Sequence, residues 1–146
     1  MTELRPVDNE NIDAVLALKV HDHQKRFVDP TAVSLAQAYV YHDDAYPFAV
    51  YDGDEIVGFI MMGYYRERGY HTLWELMIDK HHQRKGHARR AIMLGVRFLK
   101  ERYNVDSVYL FVDADNDNAK KAYLSAGFAF TGVTENGNDE MRIDCM

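Results

Sequence analysis

Met77-Ile78-Asp79-Lys80-His81-His82-Gln83-Arg84-Lys85-Gly86-His87-Ala88 is the stretch in which an apolar run stops, a basic turn intervenes and a long helical pattern opens at a glycine. The first turn of a helix has backbone N–H groups without partners, and the helix dipole places about half a positive charge there. A pyrophosphate suits that field. Gly86 has no Cβ to hold an anion away from the backbone, and Ala88 is the next smallest choice. Arg84, Lys85, Arg89 and Arg90 add positive charge. Two readings are open, a solvated basic helix start or an anion site. Cations at a helix N-terminus oppose the dipole, so a cluster of them calls for an anion. The stretch has no Gly-Lys-Ser/Thr, so it is not a P-loop, and it lacks the glycines of G-x-G-x-x-G.

Upstream, Thr72–Asp79 reads as a strand, as do Leu4–Val7, Phe48–Tyr51 and Ile56–Tyr65, with Asp52-Gly53-Asp54 as a hairpin turn. Asn9–His23 carries apolar residues at roughly helical spacing. Ser34–Tyr41 reads as a second helix with Ser34 as cap, after the break at Pro30. Downstream, Ala88–Tyr103 is the longest amphipathic pattern, with Asn104 as its stop. Ser107–Val112 reads as a buried strand and Asn118–Ala126 as a short helix ended by Gly127. Phe128–Val133 and Met141–Asp144 form a closing strand pair about Asn136-Gly137. The order is βααβββαβαββ, an α/β (α+β mixed-sheet) arrangement, and residues 1–146 are expected to form one domain.

The chain has 146 residues, 47% of them hydrophobic, enough for a core without staples. Its formal net charge of −6 argues against a nucleic-acid binder and suits a cationic substrate, although ordinary solubility charge accounts for it equally. The single cysteine, Cys145, cannot form an internal disulfide. The polar N-terminus is unlike a signal peptide, and no apolar run approaches the ~20 residues that span a bilayer. A cytoplasmic protein without membrane attachment is expected. No His-Glu-x-x-His spacing is present, and no metal is expected.

Gln83-Arg84-Lys85-Gly86-His87-Ala88 resembles the Q/R-x-x-G-x-G/A motif of the GNAT N-acetyltransferases. Asn116-Asp117-Asn118-Ala119-Lys120-Lys121-Ala122-Tyr123-Leu124-Ser125-Ala126-Gly127-Phe128 is similar to that family's N-x-x-A-x-x-x-Y-x-x-x-G-F. The two motifs stand in the family's order, and the resemblance covers essentially the whole chain. It implies acetyl-coenzyme A as cosubstrate, with the pyrophosphate on the backbone of Gln83, Arg84, Lys85, Gly86, His87 and Ala88. It also implies that the pantetheine arm lies along Met77 and Ile78, with Asn116 contacting the coenzyme or bridging two splayed strands. Tyr123 matches the family's general acid, and its alternative is a packed helix tyrosine. Glu75 is the candidate base: by period two it shares a face with Leu73 and Met77, a setting that raises a carboxyl pKa. A solvated glutamate and a water chain are its alternatives.

Val20-His21-Asp22-His23-Gln24-Lys25-Arg26-Phe27-Val28-Asp29 resembles the V-x-x-x-Q-x-x-F/Y-V/I-D/E stretch of bacterial spermine/spermidine acetyltransferases. The implied substrate is a polyamine, with Asp22, Gln24, Phe27 and Glu75 as candidate contacts. Asp29, Asp43 and Asp44 are further acids, and Tyr39, Tyr41, Tyr64, Tyr65 and Trp74 are aromatic neighbours for a cation. Other small amines, a protein N-terminus and a non-catalytic acyl-coenzyme A sensor are the alternatives. A homodimer is expected.

Overall fold

A computed structural model describes residues 1–145. Seven strands form one sheet in the order β1-β2-β3-β4-β5-β7-β6. These are β1 Thr2–Pro6, β2 Ala45–Asp52, β3 Glu55–Tyr65, β4 Tyr70–Ile78, β5 Ser107–Asp113, β6 Ala129–Glu135 and β7 Asn138–Asp144. The helices are α1 Ile12–Leu16, α2 Thr31–Val40, α3 His87–Tyr103 and α4 Asp117–Ala126. The element order agrees with the sequence reading. The first helix does not: the Asn9–His23 pattern yields five α-helical residues and a separate 3₁₀ turn at Asp22–Gln24. Pro30, rather than Ser34, stands at the N-cap of α2, and Ser34 lies buried inside that helix.

Alternation along the strands divides the core in two. Ile60, Met62 and Leu73 face one side with Ala91, Ile92 and Leu99 of α3 and Tyr123 of α4. Phe59, Met61 and Met77 face the other side with Val15 of α1 and Ala38 of α2. Gly95 lets α3 settle on the first face, since a Cβ there would stand 3.1 Å from Ile60 Cδ1 and 3.1 Å from Met62 Sδ.

Two irregularities open the sheet at its centre. In the β3–β4 ladder, Met61 faces Glu75 and Met62 faces Leu73, which leaves Trp74 as an extra, bulged residue on β4. The bulge corrects the period-two expectation: Leu73 packs into the α3 core, while Trp74 and Met77 pack into the α1/α2 core. Glu75 therefore shares a face with Met77 and not with Leu73. Beyond the bulge, the parallel neighbours β4 and β5 meet at one register pair, Thr72↔Tyr109, and then diverge. The C-terminal half of β4 thus has an unpaired backbone edge inside the sheet.

Candidate active site

The Asp79–Gly86 turn leaves β4 at this open edge and feeds α3. Arg84 and Gly86 have left-handed backbone, with φ of 63° and 85°. Among the described residues the N–H groups of Gln83, Arg84 and Gly86 meet no acceptor, and no side chain caps α3. Together with the free first turn of the helix they form a concave set of donors. A phosphate group fits this set, and the exposed side chains of Arg84 and Lys85 flank it.

The other cations of the cluster have structural duties. Arg90 Nε donates to Thr2 Oγ1 at 2.9 Å and its Nη2 to the Lys85 carbonyl at 2.8 Å, bracing the turn against β1. Arg89 Nε donates to the Ser125 carbonyl of α4 at 3.2 Å. His87 is 4% exposed, and burial followed by the Arg90 charge lowers its pKa. Only its backbone belongs to the rim of the turn.

Gln83 Nε2 donates to the Ile78 carbonyl and to Gln24 Oε1, both at 2.9 Å, and Gln24 Nε2 returns a bond to Gln83 Oε1 at 3.1 Å. The candidate acceptor residue Gln24 is thus committed to the turn. A cleft of about 520 Å³ lies beside it, walled by Asp22, Gln24 and Phe27 on one side and by Asp115, Asn116 and Asp117 on the other. Asp22 pairs with Lys25 at 2.9 Å on the surface, and the Arg26 guanidinium lies 4.1 Å or less from neither acid but 4.0 Å from Asp115 Oδ2 and 4.4 Å from the Phe27 ring centre.

Asn116 caps α4, its Oδ1 accepting from Ala119 N at 3.3 Å. Gly127, in left-handed conformation at φ 109°, ends the helix and lets Phe128 N reach the Tyr123 carbonyl at 3.0 Å. This folds Phe128 against the Tyr123 ring, with centres 5.8 Å apart. Tyr123 is 9% exposed and its hydroxyl has no protein partner. Ser34 Oγ is the one fully buried side-chain polar atom without a partner among the described residues, so the Tyr123 hydroxyl opens to accessible space. Burial, and then the charge of Glu75, raise the Tyr123 pKa.

Glu75 reaches the same place from β4. Burial pushes its carboxyl from 4.5 up to about 7, and the negative charge of Asp29 adds to that, while the backbone N–H groups of Asp29 and Leu76 oppose it. A half-neutral carboxyl and an open phenol thus share the gap between the strands.

Other expected neighbours lie elsewhere. Asp44 is held by Arg66 at the end of β3 remote from the turn, and Tyr64 packs on His71. Tyr39 is exposed on α2, Tyr65 packs on Tyr70, and Tyr41 tilts against Trp74. Among the described residues, no group of three His, Cys, Asp or Glu is gathered to hold a metal, and no helix is long and apolar enough to cross a membrane. Burial raises the Cys145 pKa, which keeps that thiol protonated.

Sequence reading missed three features: the Trp74 bulge, the bracing role of Arg90 and the approach of Asp29 to Glu75. Each depends on contacts distant in sequence, and none leaves a local signal.

Residues 12–128 match the model of the Acetyltransferase (GNAT) family. The chain is 29% identical over 146 residues to a "Probable spermine N(1)-acetyltransferase" of Bacillus subtilis subsp. natto (strain BEST195), covering 96% of this chain and 95% of the relative. Its fold is similar to that of the spermidine N-acetyltransferase from Vibrio cholerae solved with CoA and spermine. That match has a TM-score of 0.75 at 20% identity and covers 98% of this chain and 95% of the other. An aminoglycoside acetyltransferase solved with coenzyme A and kanamycin is similar in fold as well, with a TM-score of 0.81 at 16% identity, over 99% and 95% of the two chains.

Proposed function

Because the chain belongs to the acetyltransferase (GNAT) family, and so is an N-acetyltransferase, we propose that it moves acetyl from acetyl-coenzyme A to a primary amine of a polyamine such as spermidine or spermine, by direct attack in a ternary complex. The observation that carries this reading is the meeting of Glu75 and Tyr123 at the unpaired edge of β4, one turn of chain before the anion-suited start of α3. The backbone of Gln83–Ala88 holds the pyrophosphate, the edge at Met77 and Ile78 pairs with the amide-bearing arm, and Asn116 borders the cleft. Acetyl-coenzyme A supplies a thioester carbonyl.

An alkyl amine arrives protonated. Glu75, titrating near neutrality, takes one proton from the ammonium. The amine nitrogen then bonds to the carbonyl carbon and the carbon–sulfur bond breaks. The second ammonium proton leaves the nitrogen as the amide forms and ends on sulfur. Tyr123 has a raised pKa, so full transfer from it to a thiolate near ~8.5 is uphill. Its contribution is a hydrogen bond to the departing sulfur, with a proton supplied as the sulfur gains charge. Asp22, Asp115 and Asp117 around the cleft give the acceptor side a negative field suited to a polycation. The polyamine relatives support the same substrate class.

The proposal extends to a single domain over residues 1–146, to a homodimer, readable by light scattering, and to the cytoplasm, where a lone thiol stays reduced. Release of coenzyme A thiol, screened with spermidine, spermine, lysine, an aminoglycoside and a peptide N-terminus, tests the core of it. Saturable turnover with spermidine or spermine is expected. Turnover confined to another member of the panel would overturn the polyamine assignment and leave the family intact.

A further inference from the structure

The segment between α1 and α2 is stitched to the β4–α3 turn, although some 60 residues separate them in sequence. Lys19 N donates to Asp79 Oδ1 at 2.9 Å and Lys80 N donates to the Lys19 carbonyl at 2.7 Å. The Gln24–Gln83 amide pair is the third stitch, with a bond in each direction. Its orientation is fixed at both ends. His21 N donates to Gln24 Oε1 at 3.1 Å, so that atom is an oxygen, and the Ile78 carbonyl accepts from Gln83 Nε2, so that atom is a nitrogen. Five residues past Gln24, Asp29 delivers its backbone N–H and its charge to Glu75. One short segment therefore touches the anion turn at one end and the candidate base at the other.

We propose that Gln24 is a positioning residue: by clasping Gln83 it fixes the 19–29 segment between the coenzyme turn and Glu75, so that filling the turn orders the wall of the acceptor site. The inference rests on the reading of Gln83–Ala88 as the coenzyme site. An anion on the free N–H groups of Gln83, Arg84 and Gly86 immobilises Gln83 and its amide, and through Gln24 restrains the chain that carries Phe27 and Asp29. Coupling of this kind is reciprocal, so an acceptor that rests on the segment tightens the coenzyme in turn. Gln24 is then a linker between the two substrate sites and makes no contact with the amine.

Hydrogen exchange of the 19–29 segment in the full chain, with and without coenzyme A, reads this directly. In the wild type, coenzyme A slows exchange of the Lys19 and His21 amides by about tenfold or more. In Gln24→Leu that slowing falls below about twofold. Gln24→Glu keeps the acceptor oxygens for His21 N and Gln83 Nε2 but loses the donor, and lies between. With spermidine as acceptor, Gln24→Leu raises the amine KM about fivefold or more, at the low end of usual coupling, and leaves kcat nearly unchanged. Equal coenzyme-induced protection in all three proteins would overturn the clasp, and a fall in kcat at unchanged KM would overturn the positioning role. Failure of wild type to bind coenzyme A would remove the reading of the turn and this inference with it. Lack of turnover with spermidine, with the exchange pattern intact, would count against the polyamine alone.

Discussion

Tyr123 and Glu75 have environments that set opposite tasks: the phenol stays protonated because it is buried beside a carboxylate, and the carboxyl titrates near neutrality because it is buried beside Asp29. Tyr123→Phe removes the hydroxyl and leaves the ring packed on Phe128. We expect kcat to fall about 100-fold with coenzyme A affinity unchanged, since general acid–base groups contribute at least that much; thiol release and calorimetry measure the two. Undiminished turnover would take Tyr123 out of the mechanism. Glu75→Gln separates activity from stability. A folded-state value of about 7 against 4.5 means that the folded protein holds a proton which the unfolded chain releases between those pH values. Wild-type stability therefore declines as pH rises from about 4.5 to 7, and the deficit persists above. The amide has no charge to bury, so Glu75→Gln should gain up to roughly 3 kcal/mol over wild type at pH 8 and nothing near pH 4. Its activity should lose the rise through pH 7. Urea unfolding at both pH values checks this, and a pH-independent difference would place Glu75 in water.

At the scale of elements, the phosphate-suited start of α3 depends on left-handed backbone at Gly86 and on the Arg90 brace. A Cβ on Gly86 would stand 2.7 Å from an Arg90 guanidinium nitrogen, in a conformation that β-branched residues avoid. Gly86→Val should therefore weaken coenzyme A binding about tenfold or more, by strain of order 1–3 kcal/mol in the turn and by displacement of Arg90. Unchanged affinity in a titration would sink the reading of the turn. This element was legible from sequence because its signals are local: a strand ending, a glycine, a basic run, a helical period. So were α4 and its Gly127 stop. The α1 region misled because Ile12, Val15, Leu16, Leu18 and Val20 keep an apolar rhythm although the helix ends at Leu16 and the chain turns to meet Asp79. The bulge at Trp74 was hidden for a related reason. It is defined by register against Met61 and Met62, and without it alternation puts Glu75 on the face of Leu73.

For the molecule as a whole, coenzyme A should act as a stabiliser. It has the free N–H groups of the turn and the unpaired edge of β4 to fill, neither of which exists in the unfolded chain. At 100 times its dissociation constant a ligand adds about 2.7 kcal/mol, so a thermal scan should show a clear rise with coenzyme A. ATP, which brings phosphates but no strand-like arm and finds no P-loop lysine, should give a much smaller rise at equal concentration. Equal shifts would mean that the turn alone does the binding. The open edge has one more consequence. An exposed strand edge ordinarily recruits foreign strands and leads to aggregation. Here the vacancy lies mid-sheet, between β4 and β5, still joined at Thr72 and Tyr109, and with α3 and α4 against one face. A second polypeptide, with side chains projecting on both faces, is too thick to enter. The protein can keep missing rungs in its ladder for a slender guest without acquiring a sticky flank.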